Sequence, residues 1–261
     1  EILNNARDIA IYCDRNNWHS IWFTEHHFNH EGMESTPNPL MICTDVAART
    51  SQIRLEQACN VITFWNPIRL AEDIAALDHL SKGRIIFGIA GGWIKEAMEN
   101  HGTNFKDRWN VVKEHALLIR SLWEKETITF SGEFVSIEES IQQFPKPYTP
   151  GGPPIFIGSN HKRVPARVAD YADGWMPIYE RYEGHVDPVS DLKKSCQEIG
   201  RNYEDMTVLL FGAPFDYETL KSLASEGYHG FIFLIPHERS DDIPGILDEI
   251  VEIKGRLARS L

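Results

Sequence analysis

Three things are scarce in this chain of 261 residues, and each scarcity excludes something. Cysteine occurs four times, at Cys13, Cys43, Cys59 and Cys196, with no CxxC pair. That excludes a disulfide framework and a zinc ribbon, and reads as reduced thiols in a cytoplasmic protein. Long apolar runs are missing. None approaches the roughly 20 residues needed to span a bilayer, and the polar opening EILNNARDIAIYCDRNN does not read as a signal peptide. Positive charge is in deficit: 26 Lys and Arg stand against 38 Asp and Glu, a net charge of -12. That balance argues against nucleic acid or an anionic membrane as partner. P-loop, GxSxG, HExxH and GxGxxG motifs are absent too, so the commonest nucleotide, hydrolase and zinc-protease signatures do not apply. No repeat or low-complexity tract interrupts the chain.

What is present is a soluble, globular composition, 42% hydrophobic and 25% charged, long enough for a large core. Short apolar runs recur: SIWFTE (20–25), IRLEQAC (53–59), RIIFGIA (84–90), PIFIGS (154–159), GWMPIY (174–179), MTVLLFGA (206–213) and GFIFLI (230–235). Most are almost continuously apolar, as strands covered on both faces must be. Helical patterns separate them. NPLMICTDVAARTS puts Leu40, Cys43, Val46 and Ala47 on one face. NPIRLAEDIAALDHLSKG has proline in its first turn and ends at Gly83. DRWNVVKEHALLIRSLWE carries an apolar stripe through Val112, Ile119 and Trp123. Strands alternating with helices predict a parallel sheet. Seven strands behind an opening helix (2–15) suit an α/β, TIM-like (β/α)8 barrel without its first strand. A doubly wound open sheet is the rival. ETITFSGEFVSIEES (126–140) reads as a β-hairpin turning at Ser131-Gly132, followed by Pro- and Gly-rich chain. The region 126–153 is thus expected to be an insertion within one domain, 1–261.

Four stretches could carry chemistry. TEHHFNH places Glu25, His26 and His27 at the C-terminal end of a strand, the end that faces ligands in parallel α/β folds. Neighbouring strand residues point to opposite faces. A zinc site needs three or four converging ligands, which this pattern does not offer, so no metal is expected. A general base, or a histidine capping the strand, fits better. Gly91 and Gly92 end the third apolar run, where they either admit a ligand close to the backbone or make a tight turn. Gly158-Ser159-Asn160 runs into a helix, with His161, Lys162 and Arg163 beside it. Ser159 or Asn160 as N-cap would make a phosphate cradle or a plainly capped helix. Trp65, before Asn66-Pro67, walls a pocket or joins the core.

Taken together, SIWFTEHHF, NPIRLAEDIAALDHLSKGRIIFGIAGGW and PPIFIGSN…ARVADYADGWMP resemble the bacterial luciferase-like flavin-dependent monooxygenases over nearly the whole chain, most specifically in NPxRxAEDxxxLDxxSKGRxxFG. The resemblance implies a barrel with a hairpin insertion after its fourth family strand, commonly a homodimer. It implies reduced FMN with O2 acting on a small organic substrate, the FMN supplied by a separate flavin reductase. The alternatives are hydride transfer with F420, towards which the Gly-Gly-Trp and ADGW features lean, or flavin binding without turnover. It makes His26 the catalytic residue, with Glu25 able to fix its tautomer. A non-prolyl cis peptide is implied near Ala58–Cys59 beneath the flavin ring, with Gly91 and Gly92 close by. Phosphate binding falls to Ser159, Asn160 and His161. Phe28, Trp65 and Trp93 would line an apolar substrate pocket.

Overall fold

The apolar runs form strands, and the reason they are short is visible in their ends. In a computed structural model that describes residues 2–28, 36–235 and 242–259, the chain opens with α1 (Ile2–Arg15) and β1 (Ser20–Phe23). β1 stops two residues before the expected Glu25. There follow α2 (Pro39–Ala47), β2 (Arg54–Gln57), β3 (Asn60–Val61), α3 (Pro67–Ser81), β4 (Ile85–Ala90), α4 (Lys95–Asn100), α5 (Arg108–Glu124), β5 (Ile128–Ser131), β6 (Ser136–Ile141) and β7 (Ile155–Gly158). Next come α6 (Val164–Tyr171), β8 (Gly174–Met176), α7 (Pro188–Ile199), β9 (Thr207–Phe211), α8 (Tyr217–Glu226), β10 (Gly230–Ile232) and α9 (Ile243–Leu257). Two compact units emerge, 1–157 and 158–261.

In the first unit a parallel ladder runs β1, β2, β4, β7, with β3 also paired to β4. The run 53–59 thus yields only β2, and β3 follows it as a separate strand. They are divided at a cis peptide bond between Ala58 and Cys59. Within β2, Leu55 and Glu56 are both fully buried, as a strand covered on both faces requires. Helices α2 and α5 cover the sheet with residues read from sequence, Leu40, Cys43 and Val46, then Val112, Ile119 and Trp123, and α3 does so with Leu70, Ile74 and Leu77. Each fully buried Leu or Ile among them contributes about 1.5–3 kcal/mol by leaving water. β5 and β6 pair antiparallel as the expected hairpin, its tip reversing at 132–135.

In the second unit β8, β9 and β10 form a parallel ladder. Its core gathers Trp175, Val164, Leu192, Val208 and Leu220. The four cysteines are free thiols, three of them buried. No helix among the described residues is long and apolar enough to cross a membrane.

Candidate active site

Beyond Phe23 the chain leaves the sheet, but it is not loose. The Phe23 carbonyl accepts from Ala58 N (2.8 Å), and the Thr24 carbonyl from the Thr36 hydroxyl (2.9 Å). The His26 amide donates back to the Thr36 carbonyl at 3.1 Å. Thr36 therefore fixes residues 24–26 from the far side of the segment 29–35. His30 lies in that segment, outside the described residues.

Glu25 is the anchor. It is 5% exposed, and three donors converge on its carboxylate: Val61 N at 2.6 Å, His27 Nε2 at 2.8 Å and Trp65 Nε1 at 3.3 Å. Charge-assisted bonds of this kind are about twice as strong as neutral ones, and this set ties β1 to β3 and the turn after it. The ring that Glu25 grips is His27, where sequence suggested a partner for His26. The reason is geometric. With the strand ended at Phe23, residue alternation no longer decides which side chain turns inward. His27 is packed on its other sides by Phe64 (centroids 5.0 Å apart) and His101 (4.8 Å). His101 stacks on Phe64 at 4.2 Å and donates from Nδ1 to the Ala97 carbonyl at 2.7 Å. His27 is thus built into the wall.

His26 is half-buried. Burial pushes its pKa below the ordinary histidine value; the Glu25 charge pulls it up and His27 pushes it down. A neutral imidazole at neutral pH is available to accept a proton.

The cis bond Ala58–Cys59 sits where the resemblance implies one. One residue later, Asn60 is wholly buried, and neither its carboxamide oxygen nor its nitrogen finds a partner. A buried donor and acceptor left over together are uncommon. They suit the ring edge of a flavin, which presents both kinds of group. Sequence reading missed Asn60, although a lone amide between QAC and VITF is a visible break in an apolar run.

The remaining candidates separate. Gly92 has φ +74°, and a Cβ there would press on Val61 Cγ1 (3.1 Å) and Met98 Sδ (3.2 Å). The requirement for glycine is met by the protein's own turn. Gly91 lies against Trp109. Phe28 and Trp93 are 57% and 52% exposed, while Trp65 lines a cleft of about 490 Å³ together with Phe64, His101 and His115.

In the second unit the expected N-cap is corrected. Arg163, not Ser159 or Asn160, caps α6, without a side-chain bond. A turn closed by Val164 N on the His161 carbonyl intervenes, and Pro165 sits in the first helical turn. The Asn160 side chain is spent elsewhere: its Oδ1 accepts from Ile178 N at 2.7 Å. The Ser159 carbonyl accepts from Trp175 Nε1 at 2.9 Å, and His161 Nδ1 from Arg163 N at 3.2 Å. His161, Lys162 and Arg163 are exposed. No group of three or more His, Cys, Asp or Glu that could hold a metal occurs among the described residues.

Comparison with known proteins now adds to this geometry. Residues 1–233 match the family described as luciferase-like monooxygenase. An uncharacterized protein of Mycobacterium tuberculosis is 30% identical over 215 residues, 82% of this chain and 75% of that one. The oxygenase component of a flavin-dependent trigonelline monooxygenase from Acinetobacter baylyi is 32% identical over 164 residues, 61% of this chain and 44% of that one. An F420-dependent secondary alcohol dehydrogenase, solved with an F420-acetone adduct, superposes with a TM-score of 0.69 at 16% identity, over 85% of this chain and 69% of that one. That last likeness shows the fold, an α/β barrel of the luciferase-like type. The chain belongs to the luciferase-like monooxygenase family, which holds both flavin-dependent monooxygenases and F420-dependent oxidoreductases.

Proposed function

We propose that this chain is the oxygenase component of a flavin-dependent monooxygenase, acting with reduced FMN and O2 on a small organic substrate. The observation that carries the reading is the buried Glu25 carboxylate, which fixes His27 in the wall and ties the turn holding His26 to Val61, two residues past the cis Ala58–Cys59 bond. Ala58, Cys59 and the Asn60 carboxamide would hold the ring, with Gly91 and Gly92 near it. Reduced FMN would supply the electrons that activate O2 for transfer of one oxygen atom to the substrate. His26, neutral at working pH, accepts a proton at a ring nitrogen. Such chemistry requires that water be kept out, and Phe28, Trp65 and Trp93 would do so only when substrate covers Phe28 and Trp93, which are more than half exposed. In the second unit, Ser159, Asn160 and His161 keep a phosphate-binding role as a proposal tested by their own replacement. A separate reductase supplies the flavin, in keeping with the relative named as an oxygenase component. The protein works as a homodimer, in the cytoplasm, where four free thiols persist.

The second reading, hydride transfer with F420, draws on the Gly91-Gly92-Trp93 turn and on F420-dependent relatives. Replacing His26 by Ala tests the catalytic assignment. Turnover is expected to fall about 10²–10⁴-fold, the ordinary contribution of a general base, with flavin still bound. Wild-type turnover in a flavin-loaded variant contradicts the assignment.

A further inference from the structure

The first unit carries a cleft of about 490 Å³, within the usual range for small-molecule sites. It shares Trp65 with the proposed pocket, is not lined by His26, and lies between the turn after β3, the start of α5 and the hairpin. Its walls come from separate elements. Phe64 and Trp65 enter from the turn, Phe134 and Val135 from the hairpin tip, Asp107 from just before α5 and His115 from within it.

The hairpin wall is held on purpose-built contacts. Glu114, beside His115 on α5, accepts from Glu133 N and Phe134 N at 2.9 Å and from Val135 N at 3.2 Å. Three amides on one carboxylate fix Phe134 and Val135 against the cleft. A Cβ at Gly132 would run into that carboxylate, so the tip approaches closely only because it has none.

Asp107 and His115 offer acceptors to this cleft, and Asn66 and Asn104 add carboxamides whose Oδ1 atoms already accept from Ile68 N and Arg69 N and from Lys106 N. Asp107 precedes α5 but makes no side-chain cap bond, so its carboxylate is not used by the helix. His115 bonds the Ile62 carbonyl through Nδ1 at 3.3 Å, which makes Nδ1 the donor and leaves Nε2 an acceptor. Burial lowers the His115 pKa, so this imidazole is neutral at pH 7. The Thr63 hydroxyl, on another lining residue, is buried without a hydrogen-bond partner. Among the described residues that line the cleft there is no Lys or Arg. Aromatic faces and a carboxylate, with no fixed cation, are the chemistry that recognises an ammonium group.

We propose that this cleft binds a small organic cation, a quaternary or protonated amine on an apolar body, and that such cations are the substrate class. Only the second half rests on the reading given under Proposed function. The aromatic side chains cover the apolar body and its charged methyls, Asp107 balances the charge, and His115 accepts from any N–H.

The test is binding of benzyltrimethylammonium against its uncharged isostere neopentylbenzene, followed by ligand-observed NMR, with flavin-free and FMN-saturated protein. The cation is expected to bind about tenfold more tightly than the isostere. Asp107→Asn keeps a good N-cap residue and should erase that preference while leaving isostere binding alone. Phe134→Leu should weaken the cation more than the isostere. Equal binding of the two probes by the unaltered protein overturns the proposal, as does an unchanged preference in a folded Asp107→Asn variant. Cation binding without flavin binding would contradict the proposed function and leave this site standing; flavin binding without a cation preference would do the reverse.

Discussion

Glu25 takes three donors into one buried carboxylate, and a neutral side chain cannot replace it. In Glu25→Gln one oxygen remains as acceptor, while the new NH2 faces a group that was donating. The loss is expected to be roughly 2–4 kcal/mol, as for other broken charge-assisted bonds in an interior. Urea unfolding measures it, and a change below about 0.5 kcal/mol contradicts the anchoring role. Glu56 makes the opposite case. It is wholly buried on β2, with Arg54 at 3.3 Å from one oxygen and no partner for the other. Burial pushes its pKa up from 4.5 to about 8. The folded state therefore keeps this proton while the unfolded chain gives it up from about pH 4.5. Folding stability then declines as pH rises through the window up to about 8. Glu56→Gln removes that decline. Its Tm should equal the parent's at pH 5 and exceed it at pH 8; a lower Tm at pH 8 contradicts the account. At this scale, sequence singled out EHH as a candidate site. It did not show which histidine Glu25 would grip, because that depends on where β1 ends and on Phe64 and His101 arriving from elsewhere.

At the scale of elements, the stretch that most resembled the family proves to be framework. In NPIRLAEDIAALDHLSKGR, Asn66 Oδ1 caps α3, accepting from Ile68 N (3.0 Å) and Arg69 N (3.1 Å). Lys82 and Gly83 end the helix in the left-handed region, at φ +58° and +80°. Arg84 then staples the corner, donating to the carbonyls of Ser81 (2.7 Å), Ile53 (2.8 Å), Ala47 (3.1 Å) and Thr50 (3.2 Å). Asp78, fully buried, accepts from Thr149 N at 2.7 Å and so returns the chain from the hairpin to the sheet. Asp78→Ala should cost roughly 2–3 kcal/mol by leaving a buried amide unpaired, with flavin affinity of the folded fraction unchanged. Thermal unfolding beside a flavin titration checks both halves; loss of affinity with full stability contradicts the framework role. Helix faces and the hairpin were legible because their periodicity and turn residues are local. The end of β2 at Gln57 and the separate β3 at Asn60–Val61 were not, since a cis bond leaves no trace in apolar periodicity. Nor was the start of α6, where Pro165 and the His161 turn outrank the capping tendency of Ser159 and Asn160.

For the molecule as a whole, the resemblance of its motifs implied the family and barrel type, and the match over residues 1–233 agrees on the family. The choice between FMN and F420 does not follow, because it turns on a few contacts in turns and on groups such as Asn60 whose lack of a partner shows only in the fold. The central claim is that the Glu25-anchored wall, the cis bond and the Asn60 carboxamide serve a flavin. Titration of the purified protein with reduced FMN and with reduced F420 under anaerobic conditions, followed by absorbance and fluorescence, tests it most directly. The account predicts saturable binding of FMN at one per chain, tighter than F420 and weakened by Asn60→Ala. Saturation by F420 with no binding of FMN, or no binding of either, would contradict it.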